Sequence, residues 1–364
     1  MNMITMLDCI ARVPERLHWI VEHRDETFAA LRLQKERLAS MDEIVLIGSG
    51  TSNTSAITAR FITEHAAGIR VTVTLPTEFL YDHSVFNPNA LYVFISQTGT
   101  SAMTRVAMAR AKKMGLYTVA VSEGAETPAA READLFVNMG CGVEEYGMRT
   151  IGYSTSILTL VMLGVEMGRM NGRLSAEREK AYVQMALDAA KNIPSVIEKS
   201  LSWMDRERRK MLRSDLLMFT GSGALAGVAM EASIKVWETP QISAAYYELE
   251  EGLHAPNYGY SQRHCVIVLN DGGPESDKAV SLSRFTKCEM NNGFMIGKNT
   301  VDEHDLTFEP QGGELACLEF AAAVQVAAYR LAVDQGRDLI HRDGHGNMSK
   351  YFSSHRDVKP EELA

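Results

Sequence analysis

The feature that most constrains the fold of this chain is an internal repeat. Gly48-Ser49-Gly50 follows a short apolar run, and Gly221-Ser222-Gly223 follows another apolar run 173 residues later. A second apolar run ends before Ser96, and we match it to the run that ends before Leu269. This match predicts the same offset of 173 residues between Ser96 and Leu269. Because self-similarity at a fixed offset is typical of duplication, the sequence predicts two copies of one fold.

Short β-branched runs alternate with helical patterns in both halves, which is typical of parallel sheets covered by helices. In the first half the predicted strands are Ile44–Ile47, Ile69–Thr74, Leu91–Ile95, Tyr117–Val121 and Leu135–Val137. In the second half they are Leu216–Thr220, Cys265–Leu269 and Phe294–Ile296. The fold class predicted is α/β, with two doubly wound, mostly parallel sheets.

The same patterns divide the chain into five segments. They predict a helical leader over 1–40, a first α/β domain over 41–172, a helical linker over 173–213, a second α/β domain over 214–340 and a tail over 341–364. A chain of 364 residues has room for about two domains of ordinary size.

Charge and hydropathy exclude several functional classes. The net charge of −9 argues against a nucleic-acid surface, which needs clustered cations to replace the counterions of phosphates. The apolar stretch Ile157–Met167 is about half the ~20 residues that a membrane span needs, so it predicts a buried helix. Residues 1–20 carry charges at several positions and lack the apolar core of a signal peptide. We therefore expect a cytoplasmic protein without a membrane partner.

No metal or cofactor is predicted. The five cysteines are far apart and show no CxxC spacing, which is unlike a zinc site. The run from His341 to His345 is interpreted as a polar turn, since it has no evident fourth ligand. The third glycine of GxGxxG is replaced by Asn53, and GxxxxGK[ST] is absent, so the sequence supports neither a dinucleotide fold nor a P-loop.

Two loops of the first half combine hydroxyls with glycine directly after a strand. Such loops can surround a phosphate with hydroxyls and backbone N–H groups, without any lysine or arginine. The alternative is that these side chains only cap the helices that follow. The matching loops of the second half carry one hydroxyl and Asp271, which would repel a phosphate. The candidate phosphate contacts are Ser49, Thr51, Ser52, Ser96, Gln97, Thr98 and Ser101.

The second half offers charged residues instead. Lys235 and Glu238 are three apart, so they share one helix face and could form an ion pair on a solvated surface. Glu251 and His254 lie in a segment rich in acids and aromatics, where a loop histidine without catalytic function is the plain alternative.

Over residues 40–355 the chain resembles the double sugar-isomerase (SIS) domain proteins, above all the isomerase half of glucosamine-6-phosphate synthase and the fructosamine-6-phosphate deglycases. The motifs that carry the resemblance are GSGTS at 48–52, SQTGTS at 96–101, IKVWE at 234–238, LHAP at 253–256 and SK at 349–350. It implies two tandem SIS domains, with a sugar phosphate held by Thr51, Ser52, Ser96, Gln97, Thr98 and Ser101.

The resemblance also implies roles for the charged residues. Glu238 matches the glutamate that moves a proton between C1 and C2 of the sugar, and His254 matches the ring-opening histidine sixteen residues later. Lys350 matches a lysine that can form a Schiff base with the open-chain ketose, while Lys235 and Glu251 are further candidate substrate contacts. The chain departs from the family at Leu253 and Ala255, where the synthase has lysine and glycine.

Three functions compatible with these residues stay open. The first is a deglycase that cleaves a 6-phosphorylated ketosamine to a hexose 6-phosphate and an amine. The second is an aldose-ketose isomerase or a deaminase of an amino-sugar phosphate, and the third is a sugar-phosphate sensor without catalysis. With about forty residues before the first strand, we expect neither a glutaminase domain nor a helix-turn-helix domain. The resemblance implies a homodimer or a higher homo-oligomer.

Overall fold

The computed structural model describes residues 4–337, 350–351, 356–359 and 362. Its first sheet contains the strands β1 (Glu43–Gly48), β2 (Arg70–Thr74), β3 (Ala90–Ile95), β4 (Tyr117–Ser122) and β5 (Leu135–Asn138). The strand order is β2-β1-β3-β4-β5, and all four neighbouring pairs are parallel.

The second sheet repeats this topology. It contains β6 (Leu216–Gly221), β7 (Ala244–Glu248), β8 (His264–Asn270), β9 (Gly293–Gly297) and β10 (Leu306–Thr307). The order is β7-β6-β8-β9-β10, again with parallel pairs throughout. The α/β class with two parallel sheets is therefore confirmed.

Helices flank both sheets. In the first half of the chain they are α1 (Met6–Glu22), α2 (Arg24–Thr27), α3 (Ala29–Arg32), α4 (Lys35–Ala39), α5 (Thr51–Ala67), α6 (Pro76–Tyr81), α7 (Ala102–Lys113), α8 (Pro128–Glu132) and α9 (Ile151–Met170). They continue with α10 (Ala176–Leu212), α11 (Ala224–Glu238), α12 (Ser276–Cys288) and α13 (Cys317–Asp334). Short 3-10 helices cover Glu251–Leu253, Pro256–Gly259 and Gly313–Leu315.

The chain divides into two compact units, one around each sheet. Within the described residues, the first unit contains 16–144, 152–183, 350–351, 356–359 and 362, and the second contains 4–15, 145–151 and 184–337. Both units draw on separated segments of the chain. The five segment boundaries expected from the sequence stay predictions.

Each unit has a core formed by apolar strand residues and the helices beside them. Every residue of β1, β3 and β4 is buried, as expected for strands of a parallel sheet covered on both faces. Phe79, Tyr92 and Phe94 pack edge to face in the first core. In the second core, Met218, Val266, Val268 and Met295 are among the buried residues.

The duplication is visible in the backbone at the two glycine loops. Gly50 has φ 58° and ψ −130°, and Gly223 has φ 57° and ψ −128°, a conformation that residues with a Cβ rarely adopt. A Cβ on Gly48 would lie 2.8 Å from the Cβ of Ser52, and one on Gly221 would lie 2.9 Å from that of Leu225. Both turns therefore require glycine for the same steric reasons.

The second landmark of the predicted repeat was wrong by one residue. Phe94 lies opposite Ile47, and Val268 lies opposite Thr220, so the offset between β3 and β8 is 174 rather than 173. The counterpart of Ser96 is therefore Asn270. The sequence prediction also missed β7, a strand with only partly buried side chains, and β10, which is two residues long.

Among the residues that the structure describes, two helices are long and apolar enough to cross a membrane by length and composition. They are Ile151–Met170, whose apolar window is 100% buried in the protein, and Gly313–Asp334, whose window is 83% buried. The first extends the predicted Ile157–Met167 stretch to a full 20 residues, so shortness was the wrong reason for excluding a span. Burial in the core accounts for the apolar composition of both helices.

Candidate functional site

The two hydroxyl-rich loops of the first unit follow neighbouring strands. Gly48, at the end of β1, lies opposite Ile95, at the end of β3, and the two strands are parallel. The order β2-β1-β3-β4-β5 places the change of winding direction between β1 and β3. In open α/β sheets the crevice at such a point, outside the carboxyl ends of the strands, is where ligands bind. The fold thus brings both predicted loops to this crevice.

The N-cap residue of α5 is a glycine rather than one of the hydroxyl residues of the first loop. The N-cap position is Gly50, whose carbonyl accepts the N–H groups of Asn53 and Thr54 at 2.9 and 3.0 Å. The N–H of Ser52 donates to the carbonyl of Ser49, and Ser49 is exposed while Ser52 is half-buried. Helix capping by serine or threonine therefore does not explain why hydroxyls occur in this loop.

The second loop gives the same result at its end. Ser101 is the N-cap of α7, yet its side chain accepts no backbone N–H there. Its Oγ instead accepts the hydroxyl of Thr104 at 3.0 Å, and the hydroxyls of Thr98 and Thr100 lie 2.7 Å apart. Ser96 is 5% exposed, and its N–H donates to the carbonyl of Val121 on the neighbouring strand. Its position is therefore fixed by the sheet.

Gln97 is held by two residues that the sequence prediction missed. Its Nε2 donates to Oε2 of Glu144 at 3.1 Å, and the same oxygen accepts the N–H of Gly152 at 3.1 Å. A Cβ on Gly152 would lie 1.9 Å from Oε1 of Gln97, so a larger residue here would displace the Gln97 amide from its position. No motif in the sequence singled out Glu144 or Gly152. The side chain of Gln97 is directed to these partners.

The loop after β8, which matches the second hydroxyl-rich loop, uses its own side chains to accept its backbone N–H groups. Oδ1 of Asn270 accepts the N–H of Gly272 at 3.2 Å, and Oδ1 of Asp271 accepts the N–H of Gly273 at 2.9 Å. In a phosphate site such N–H groups would face the anion. Leu225 also occupies the place of Ser52, so the two copies differ in both charge and hydroxyl content.

Lys235 and Glu238 form an ion pair with Nζ and Oε2 2.7 Å apart, but not on a solvated face. Lys235 is 0% exposed, and a second carboxylate, that of Glu231, lies 3.1 Å from its Nζ and is also 0% exposed. Glu238 ends α11 with its side chain 41% exposed. Burial disfavours the ammonium, but the two glutamates outweigh it and raise the pKa of Lys235. The sequence prediction missed Glu231, although its i, i+4 spacing to Lys235 is visible.

His254 lies on the surface of the second unit, after the 3-10 helix Glu251–Leu253. Its side chain is 66% exposed, and Nε2 lies 3.0 Å from Oε1 of Glu250. Hydrogen bonds from Lys278 and His254 lower the pKa of Glu250. The carboxylate of Glu248, at the end of β7, accepts the N–H groups of Glu250 and Glu251 and thereby closes the turn. Glu250 is a partner of His254 that the sequence prediction missed.

The other residues considered in the sequence analysis are Lys350 and the run from His341 to His345. Lys350 is exposed, and its ammonium lies 5.6 Å from the ring centroid of Tyr351. The run from His341 to His345 lies outside the described residues. Within the part of the chain that the structure describes, no group of three or more histidine, cysteine or acidic side chains is arranged to hold a metal ion.

Comparison with known proteins gives a family match and several relatives. Residues 37–166 match the SIS domain family. The chain is 31% identical over 313 residues to the glutamine--fructose-6-phosphate aminotransferase (isomerizing) of Bordetella parapertussis, a match that covers 82% of this chain and 50% of the relative. The chain thus spans about half the length of the curated relatives it matches.

Solved structures share the fold over nearly the whole chain. A putative phosphosugar isomerase from Clostridium difficile 630 superposes with a TM-score of 0.88 at 23% identity, covering 98% of this chain and 100% of that one. The C-terminal domain of glucosamine-fructose-6-phosphate aminotransferase from Francisella tularensis gives a TM-score of 0.77 at 21% identity, covering 92% and 96%. At these sequence identities, the structural similarity is evidence for a shared fold alone.

Proposed function

The chain is a SIS-domain protein, and from this membership we propose that it is a phosphosugar enzyme, most specifically a deglycase. Its substrate would be a 6-phosphorylated ketosamine, and its products a hexose 6-phosphate and an amine. The observation that carries the proposal is the pair of hydroxyl-rich loops at the crevice between β1 and β3, in which neither N-cap residue, Gly50 or Ser101, caps its helix with a side-chain hydroxyl. The isomerizing aminotransferases among its relatives carry fructose 6-phosphate in their name.

The phosphate site is assigned to the first unit. Ser49, Thr51, Ser52, Ser96, Thr98 and Ser101 supply the hydroxyls of the two loops, and Gln97 lines the second loop. The absence of cationic residues from both loops suits a site that binds the phosphate by hydrogen bonds. The second unit is a poorer candidate, because Asp271 and Asn270 already accept the glycine N–H groups of its loop.

The proton transfers are assigned to Glu238 and His254. His254 would move the proton that opens the sugar ring, and the Glu238 carboxylate would then take a proton from C1 and return one to C2. This shift converts the ketosamine into an imine at C1. Water adds to that carbon, the C–N bond breaks, and the amine leaves with a proton, so the overall reaction is a hydrolysis. Lys235, 2.7 Å from Glu238, fixes the position of the carboxylate.

A substrate panel tests the activity. The protein is incubated with 6-phosphorylated fructosamines, glucosamine 6-phosphate and fructose 6-phosphate, and the release of amine, ammonia or an isomerised sugar is measured. We expect release of free amine from a fructosamine 6-phosphate and none from the same compound without its phosphate. Ammonia from glucosamine 6-phosphate or an isomerised sugar would replace the deglycase with a deaminase or an isomerase. Binding without any turnover would leave only a sensor.

Ser96→Ala tests the phosphate site separately. We expect a roughly fivefold or larger rise in KM with kcat little changed, because one hydrogen bond to the substrate is worth on the order of 1 kcal/mol. Steady-state kinetics with the active fructosamine 6-phosphate measure both constants. The matched control is Ser156→Ala, a buried serine of the same unit whose hydroxyl donates to the carbonyl of Gly152. Equal KM values in the two variants would remove Ser96 from the site.

A further inference from the structure

A cavity of about 590 Å³ lies at the amino-terminal edge of the second sheet. Three of its lining residues come just before strands: Ser214 before β6, Gln262 before β8 and Asn292 before β9. The carboxyl ends of these strands, with Asp271 and the glycine loops, are at the other edge of the sheet. None of the residues assigned to the proposed reaction is among the described residues that line this cavity.

Four cations, here called the cations of α10, line one side of the cavity: three lie in the helix, and Arg213 directly follows its last residue. Arg206, Arg209, Lys210 and Arg213 follow the spacing i, i+3, i+4, i+7, which places them on one face at the end of the helix. No ion pair of these four side chains is found among residues 4–337 or the other described positions. This concentration of positive charge contrasts with the net charge of −9 of the whole chain.

The other charges of the wall are already paired. Nζ of Lys287 lies 2.8 Å from carboxylate oxygens of both Asp302 and Asp305. Nδ1 of His304 lies 2.9 Å from Oε1 of Glu207. The four cations of α10 are thus the ones available to an anionic ligand.

Stabilisation of the helix C-terminus is the plain explanation for such cations. Basic side chains near a helix end interact favourably with its dipole, but this effect is confined to about the last turn. Arg206 lies six residues before the end of α10, outside that turn. Lys210 already contacts the ring of Phe294, 5.3 Å from its centroid, which holds its ammonium beside the strand β9. The dipole alone therefore does not account for the arrangement.

The wall also offers hydrogen-bond acceptors. Asn292 is buried, its Nδ2 donates to Oγ of Ser214 and to the carbonyl of Gln262, and its Oδ1 has no hydrogen-bond partner. The carboxylates of Asp302 and Glu207 are further acceptors in the wall. A ligand that combines an anionic group with hydroxyls would match both sets of groups.

We propose that this cavity is a second ligand site, which binds a small phosphate ester carrying free hydroxyls. The phosphate would lie against the four cations of α10, and the hydroxyls would donate to Oδ1 of Asn292 and to the carboxylates of the wall. The volume is within the range of roughly 300–1,000 Å³ that small-molecule sites occupy. A ligand held there has no contact with the residues assigned to the reaction, so it would act as an effector rather than a substrate.

The test counts bound molecules by equilibrium dialysis with radiolabelled glucose 6-phosphate. The variant Arg209→Glu/Arg213→Glu reverses two cations of the cavity, and its matched control Lys191→Glu/Lys199→Glu makes the same charge change at exposed positions of α10 outside it. We expect the cavity variant to bind one molecule fewer per chain than the control. Circular dichroism checks that both variants are folded.

Equal stoichiometry in the two folded variants would overturn the proposal, and so would the absence of any binding to the wild type. The result is independent of the proposed function. If the loops of the first unit bind no phosphosugar, the wild type binds one molecule instead of two, and the cavity variant binds none. Inorganic phosphate should displace the cavity-bound sugar phosphate only at a more than tenfold higher concentration. If inorganic phosphate and glucose 6-phosphate displaced the label at equal concentrations, the hydroxyls of the sugar would not contribute to binding in the cavity.

Discussion

Glu238→Gln is expected to lower kcat by two to four orders of magnitude while leaving phosphosugar binding within about tenfold. The loss follows because proton transfer by a positioned carboxylate contributes roughly 10²–10⁴ in rate, and an amide cannot accept the proton. Binding is retained because the phosphate contacts are assigned to other loops. In the wild type, Nζ of Lys235 lies 2.7 Å from Oε2 of Glu238. Glutamine keeps an oxygen that can accept a hydrogen bond from this ammonium, so the local geometry should persist. Stopped assays for kcat and calorimetric titration for binding measure the two effects.

The matched control for this variant is Glu309→Gln. Glu309 also forms an ion pair with a lysine, Lys298, and is also exposed, but no role in the reaction is assigned to it. Its kcat should stay within about twofold of the wild type. Normal turnover in Glu238→Gln would remove this residue from the mechanism, and an equal fall in both variants would attribute the effect to lost surface charge.

Lys235→Met is expected to lower the free energy of unfolding by about 3–5 kcal/mol, the cost typical of removing one member of a buried ion pair. Glu231 is 0% exposed and would lose the ammonium that lies 3.1 Å away. Methionine has a similar length, so the packing loss is small and the effect is mainly electrostatic. Urea unfolding followed by circular dichroism measures the change.

Two further variants make this result interpretable. Lys298→Met removes a lysine from the exposed pair with Glu309, and the change should be below about 1 kcal/mol, as for exposed ion pairs in general. The double variant Glu231→Gln/Lys235→Met also replaces the buried Glu231 carboxylate with a neutral amide, and it should recover at least half of the lost stability. A loss in Lys235→Met no larger than in Lys298→Met would show that burial does not make this lysine important.

The strands that face the core were predictable from the sequence, because a buried parallel strand is a continuous apolar run. Ile44–Ile47 and Tyr117–Val121 both fall within observed strands. The polar loops after them were predictable for a related reason, since hydroxyls beside glycine stand out directly after such runs. The strand β7 was not predictable, because its side chains are at most partly buried and its sequence contains no valine, isoleucine or leucine.

Burial and long-range contacts were the parts that the sequence could not provide. Spacing showed that Lys235 and Glu238 share a helix face, but it could not show that this face is closed to solvent at Lys235. Likewise, the hydrogen bond from Gln97 to Glu144 joins residues 47 positions apart, and no local pattern announces it. The one-residue error in the offset of β8 has the same origin, because register is set by pairing between strands.

The matched turns at Gly50 and Gly223 separate two kinds of information that a glycine motif carries. Their dihedral angles agree within about 2° although the side chains around them differ in polarity, with Ser52 in one and Leu225 in the other. The glycines are therefore required by the backbone conformation of the turn from strand to helix, not by a particular ligand. In proteins of this architecture, glycine spacing alone would therefore predict a ligand site at every turn from strand to helix. The polarity of the side chains beside the turn is the better indicator of a binding site.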